Sequence, residues 1–266
     1  MNEKTEAFAR LLKIMDELRE QCPWDKKQTM ESLRHLTIEE TYELTDAIIE
    51  NEPEHIKKEL GDLLLHIVFY ARIASETDLF DIKDVIDSLC EKLIHRHPHI
   101  YGDVKVGGEE DVKRNWEQLK LQEKAMNGEV GNKSVLDGVT KSIPAMIKAM
   151  RIQEKARAAG FDWENKDQVW DKVMEELQEF KEETVKEIPD QKRIESEFGD
   201  LIFSLINYSR FIDINPDEAL ERTNVTFIKR FKYIEEKANE SGKKLTDMTL
   251  TEMDVYWNEA KKNETH

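Results

Sequence analysis

Residues 172–200 read KVMEELQEFKEETVKEIPDQKRIESEFGD, and the reading of this stretch decides the fold. Glu176 and Glu179 are spaced i, i+3, as are Glu197 and Asp200. That spacing puts both members of a pair on one face of a helix, about 5–6 Å apart at Cβ. Ile188, next to Pro189, is the midpoint between Glu179 and Glu197 and also between Glu176 and Asp200, so a helical hairpin turning there brings the two pairs level. Glu175 stands beside them. Four carboxylates converging between antiparallel helices repel one another unless a cation lies among them. An all-oxygen donor set selects Mg²⁺, Mn²⁺ or Ca²⁺. The alternative is a solvated acidic face, which a chain with 57 acidic residues in 266 can produce by chance.

The pattern recurs, which argues against chance. Glu39, Glu40, Glu43, Glu59 and Asp62 repeat the internal geometry, with Asn51 at the midpoint, in the turn-like stretch Asn51-Glu52-Pro53-Glu54. The repeat extends well beyond the carboxylates. EFGDLIFSLINYSRFI at 197–212 matches ELGDLLLHIVFYARIA at 59–74, Ile228-Lys229-Arg230 corresponds to Ile94-His95-Arg96, and Trp257 with Lys261 corresponds to Trp116 with Lys120. Both halves run in one order: aromatic loop (Trp24, Trp163), glutamate helix, Glu-x-x-Asp helix, basic helix end, late Trp with Lys one turn on. A repeat of this length predicts two copies of one structural unit. The expected boundaries are a first repeat over 1–126, a linker over 127–143 around Asn127-Gly128-Glu129-Val130-Gly131-Asn132-Lys133, and a second repeat over 144–266.

Composition predicts an all-α chain: ten Gly, six Pro, 36% charged residues and apolar positions at helical spacing, with no competing strand signal. The spacing predicts helices over 5–20, 30–50, 53–74, 81–95 and 109–126. A net charge of −17 argues against a nucleic-acid or anionic-membrane binder, whose footprint is basic. The stretch MNEKTEAFARLLKIMDELRE is charged and amphipathic rather than a signal peptide, and no apolar run approaches the ~18 residues of a membrane span, so a cytoplasmic protein is expected. Cys22 and Cys90 are expected to stay reduced there. His95-Arg96-His97-Pro98-His99 invites zinc, but Pro98 breaks the helix and no cysteine or HExxH pattern accompanies it. A di-iron bundle needs helical Glu-x-x-His on two helices, and the candidate, Glu52 to His55, straddles Pro53. Gly61 removes a side chain between the carboxylates and lets a ligand or a helix approach closely.

These residues resemble the MazG family of nucleoside triphosphate pyrophosphohydrolases, marked by EExxE, a spacer and ExxD. The resemblance spans essentially the whole chain: CPWD at 22–25, EETYE at 39–43, ELGDLL at 59–64, RHPH at 96–99, GFDW at 160–163, EELQE at 175–179 and EFGDLI at 197–202. It implies an all-α, usually dimeric fold of the two-repeat form that hydrolyses NTPs or dNTPs to monophosphate and pyrophosphate with Mg²⁺. It also implies that the C-terminal repeat tends to be the working site. A non-enzymatic nucleotide-binding regulator, or a helical interaction protein with a structural metal cluster, is the competing class.

The chemistry fits that resemblance. Glu176, Glu179, Glu197 and Asp200 are the metal ligands, and Glu175 or Glu176 takes the proton of the attacking water. Cations are needed near the outer phosphates, and Lys172 and Arg193 each sit one turn before a site glutamate. Ordinary i, i+4 ion pairing is the other reading of both. Arg230 and Lys229 add a second source of charge, and Trp257 is either a stacking platform beside Lys261 or a packing tryptophan. The family often has Lys four residues before the arginine matching Arg230, where this chain has Thr226; the first repeat keeps Lys92 before Arg96. Positions matching Lys172 and Arg193 in the first repeat are Leu36 and His55, so the second cluster is expected to be the better equipped for a triphosphate. Two-helix carboxylate surfaces need covering, which predicts a homodimer.

Overall fold

Helix starts are written into this chain as capping side chains. In the computed structural model, which describes residues 2–108, 111–112, 115–116, 119–120, 123 and 134–263, the described residues contain helices and turns and no strand. They fall into two compact units, Met1–Lys120 and Leu121–His266.

In the first unit, Asn2 caps α1 (Glu3–Gln21) by accepting from the Thr5 N–H. After a 3₁₀ turn at Asp25–Lys27, Thr29 and Ser32 form a reciprocal capping box that opens α2 (Met30–Glu50). α3 (Pro53–Ser75) starts on a proline, whose missing N–H costs nothing in a first turn. Between them Asn51 adopts the left-handed conformation (φ 54°, ψ 42°) and its N–H returns to the carbonyls of Ala47 and Ile48, so the midpoint of the carboxylate pattern is the hairpin turn itself. α4 (Ile82–Arg96) opens on an Asp81/Asp84 box and stops before Pro98, the first residue of the short α5 (Pro98–Tyr101). The described residues of the helix expected over 109–126 are helical, and residues 127–133 of the expected linker lie outside the described ones. Met15, Leu33, Val68 and Phe69 form the core, with Phe8, Leu11, Leu12, Leu36, Leu65, Tyr70 and Ile73 packed around them. Each such large side chain, once buried, contributes about 1.5–3 kcal/mol.

The second unit repeats the plan. It holds α6 (Ala145–Ala158), α7 (Lys166–Thr184), α8 (Gln191–Phe211), α9 (Pro216–Glu240) and α10 (Leu250–Asn263). Asn165, Asp190 and Asn215 cap α7, α8 and α9 through their side-chain oxygens. Ile188 lies in the α7–α8 turn, 88% exposed, as a hairpin midpoint should. α7 and α8 pair along their length, α6 lies against α8, and α10 packs on α9, which touches α6. The buried apolar residues are smaller here: Val169, Val173, Ile206, Ile234, Ala238 and Ala260. Residues 134–143, expected to be linker, contain the 3₁₀ turn Val135–Gly138, and Leu136 lines a cavity of this unit.

Candidate active site

The α7–α8 hairpin brings carboxylate oxygens of Glu176, Glu179 and Glu197 within 4.8 Å of one another, and the α2–α3 hairpin does the same for Glu40, Glu43 and Glu59. Asp200 and Asp62 stand beside their trios: each raises the pKa of a trio member through like charge. The Glu197 carboxyl is held above its ordinary value by loss of hydration, then by Glu179, Asp200 and Glu176. Glu40 is raised by loss of hydration, then by Asp62, Glu43 and Glu59. Glu59 is buried with its Oε2 unpaired. Carboxylates that raise one another's pKa and leave a buried oxygen unpaired fit a hard divalent cation better than they fit one another.

Placement of the other expected residues divides them. Glu176 is 7% exposed at the end of the hairpin's buried face, whereas Glu175 points outward. Lys172 Nζ donates to Glu175 at 2.8 Å and lies 2.8 Å from Glu176 Oε1, and those two bonds, Glu175 first, hold its ammonium well above its usual pKa. Lys172 is therefore ion-paired one turn along the helix and also at the site. Arg193 sits instead 3.6 Å from Glu183, which it shares with Lys186. Glu183 was not singled out in the sequence because it falls outside the EExxE pattern. It lies one turn beyond Glu179, is 8% exposed, keeps Oε2 unpaired and adds to the repulsion on Glu197. The first cluster has its own cation where the sequence comparison at Leu36 and His55 found none: Lys58, on α3, donates to Glu59 at 2.9 Å and lies 3.5 Å from Asp62.

Lys229, Arg230, Trp257 and Lys261 belong to a different helix pair. The Arg230 guanidinium lies 5.3 Å from the centre of the Trp257 ring and Phe227 stands 5.2 Å from it, so α9 and α10 cover that ring between them. Lys120 lies over Trp116 in the same way, at 4.3 Å. Among the described residues, a Cβ added at Gly61 or Gly199 meets nothing within 4 Å, so no described helix comes close at the glycine beside the carboxylates.

What the carboxylates do border, in the second unit, is a cavity of about 560 Å³. Its lining includes Lys172, Glu176 and Asp200 together with Ile152, Phe161, Trp163 and Phe203. Gly160 (φ +90°), just past the end of α6, takes a conformation that L side chains resist, and the exposed Phe161 and Trp163 that follow it border the cavity. Both terminal nitrogens of the Arg210 guanidinium, Nη1 and Nη2, donate to the Asp162 carboxylate. Burial works to raise the Asp162 pKa, but the bonds from Arg210 outweigh it and hold the carboxyl below its ordinary value.

The comparisons with known proteins bear on this geometry directly. A family model described as the MazG nucleotide pyrophosphohydrolase domain matches residues 28–101, the stretch that holds the first carboxylate hairpin. Over 263 residues the chain is 43% identical to the nucleoside triphosphate pyrophosphohydrolase/pyrophosphatase MazG of Thermotoga maritima, covering 98% of each chain. The chain belongs to the MazG family. MazG relatives also include the nucleoside triphosphate pyrophosphohydrolase of Escherichia coli K12, 38% identical over 96% of this chain and 97% of that one. The uncharacterized protein YabN of Bacillus subtilis is 48% identical over 97% of this chain, which spans 52% of it.

Proposed function

We propose that this MazG chain is a nucleoside triphosphate pyrophosphohydrolase that releases nucleoside monophosphate and pyrophosphate, with the α7–α8 cluster as its working site. The observation that carries the reading is the carboxylate trio, packed within 4.8 Å, at the edge of a ligand-sized cavity. Glu176, Glu179, Glu197 and Asp200 are the residues to hold Mg²⁺ or Mn²⁺. Such an ion would neutralise phosphate charge and polarise the α-phosphorus. Water oxygen bonds to that phosphorus, the bridging P–O bond to the β-phosphate breaks, and pyrophosphate leaves with the electron pair.

The chain's own groups divide the remaining work. The water's proton goes to Glu175 or Glu176, which share the Lys172 ammonium between them. Lys172, already in the cavity lining, faces the phosphates once a cation replaces it on Glu176. Lys229, Arg230 and Lys261 are the outer-phosphate cations of this reading. They sit on α9–α10, apart from the cavity lining, so the reading needs a homodimer whose second copy brings such a pair to the carboxylates. Exposed Phe227, Ile228 and Phe231 on α9, and Leu177, Phe198 and Leu205 on the hairpin, are the apolar surface it would cover.

Incubation with an NTP and Mg²⁺ should yield pyrophosphate and monophosphate in equal amounts, and light scattering should give twice the chain mass of 31.3 kDa. Release of orthophosphate would move the cleaved bond to the γ-phosphate, and nucleotide binding without turnover across all common NTPs and dNTPs would replace the hydrolase by a nucleotide-binding regulator.

A further inference from the structure

The α7–α8 hairpin has a third rung beyond the carboxylate pattern. Ile188, midway between Glu176 and Asp200 and between Glu179 and Glu197, is also midway between Glu183 and Arg193, so these two stand level across the hairpin. Glu183 continues the stripe of Glu176 and Glu179 by one more turn of α7, and Arg193 lies one turn before Glu197 on α8. In the first unit Ala47 and His55 occupy these positions.

Lys172 and Arg193 each stand four residues before a trio glutamate, yet they pair differently. Lys172 folds onto its neighbour, 2.8 Å from Glu176. Arg193 sits instead with Nη1 3.6 Å from Glu183 Oε1, the oxygen that Lys186 also approaches. Burial explains the choice. Glu183 is 8% exposed and its Oε2 has no partner, whereas Glu197 is only half-buried. A carboxylate shielded from water holds a counter-charge more strongly, and leaving it without one is costly. The unpaired Oε2 also leaves Glu183 able to accept the second arm of a guanidinium fork.

We infer that Glu183 is a positioning residue of the carboxylate site: it holds Arg193 on the third rung, keeps the guanidinium off Glu197 and Glu179, and so leaves their oxygens to the divalent cation. The inference rests on the trio as the cation site, and it needs no contact between Glu183 and the ion. A guanidinium on Glu197 would compete for the oxygens that the cation uses, as the Lys172 ammonium does on Glu176. Such a resident competitor weakens the apparent cation affinity in proportion to the time it occupies the ligand. Glu183 removes that cost at the Glu197 end of the site.

The test is a double-mutant cycle on the full chain. Every protein carries Glu40→Ala, so that the α2–α3 hairpin adds no strong cation binding of its own, and Glu183→Gln, Arg193→Gln and the pair are compared with this parent. Thermal unfolding is measured first, then Mn²⁺ affinity by calorimetry without nucleotide. With Glu183 present the guanidinium is already off the trio, so Arg193→Gln alone should change Mn²⁺ affinity by less than about twofold. Glu183→Gln should lower the affinity about tenfold, and adding Arg193→Gln should return it to within about twofold of the parent. If Glu183 acted on the ion only through space, Arg193→Gln would have the same effect in both backgrounds. If Glu183 were itself a ligand, the pair would bind as weakly as Glu183→Gln alone. Either result overturns the inference, as does unchanged affinity in Glu183→Gln. If Glu183→Gln does not fold, Glu183→Ala, the residue that α2 carries at this position, runs the same cycle. Absence of Mn²⁺ binding in the parent would end the trio's reading as a cation site and the inference with it, whereas binding with an additive cycle ends the inference alone.

Discussion

The α2–α3 and α7–α8 hairpins carry one carboxylate pattern and differ in what surrounds it. Each trio closes to within 4.8 Å and each has one lysine on it, Lys58 in the first and Lys172 in the second. The charge difference expected from Leu36 and His55 is therefore smaller than the sequence suggested. Among the described residues a further difference is room. Behind Glu40 the helices are filled by Leu33, Leu36 and Phe69, and behind Glu176 they enclose the cavity. Glu183, where α2 has the buried Ala47, adds a further carboxylate to the second hairpin. Cation binding needs only the oxygens, but a nucleotide needs volume beside them, so duplication can keep the first property in both units and the second in one.

The most direct way to break this comparison is to remove ligands from each hairpin in turn. Glu176→Ala or Asp200→Ala should lower pyrophosphate release at least about 100-fold through loss of a metal ligand, whereas Glu40→Ala or Asp62→Ala should leave it within about twofold. The reverse result in steady-state assays would move the working site to the first unit and leave the pyrophosphohydrolase reading standing.

Exchanging the residues behind the carboxylates sharpens it next. Phe69→Asn removes a core aromatic that is 2% exposed and buries an amide, so urea denaturation should show a loss of about 3–5 kcal/mol. Asn207→Phe, entering open space, should change stability by less than about 1.5 kcal/mol. Equal costs at the two positions would mean that the second unit is as tightly packed as the first.

The smallest expected effect is in the pH dependence of cation stabilisation. Glu197 and Glu40 have folded pKa values raised above the unfolded one. Their contribution to stability is complete below the ordinary glutamate value, about 4.3, and is lost as pH rises through the folded value. A bound cation takes over the proton's role. The rise in Tm on adding Mn²⁺ should thus be a few degrees at pH 7.5 and should shrink toward pH 4.5. Glu197→Gln and Glu40→Gln should each remove part of that rise. An increment that is the same at both pH values would show that the trios do not hold the ion.

The sequence by itself determined the helices, the two hairpin midpoints and the i, i+3 carboxylate pairs, because these depend on residues close in the chain. Caps such as Thr29, Asp81 and Asn215 act within three residues, and the i, i+3 spacing of Glu176 and Glu179 sets their common face whatever packs nearby. The internal repeat was legible for the same reason. Only the tertiary structure decided which charges meet and where space is left. Arg193 goes to Glu183 rather than toward Glu197, Lys58 reaches Glu59 and Asp62, and Arg230 with Trp257 lies on another helix pair. Gln153 and Asn207 read in the chain as ordinary polar residues of amphipathic helices. They line a cavity because α6, α7 and α8 converge on them from separate stretches, and a void is a property of what three helices together fail to fill.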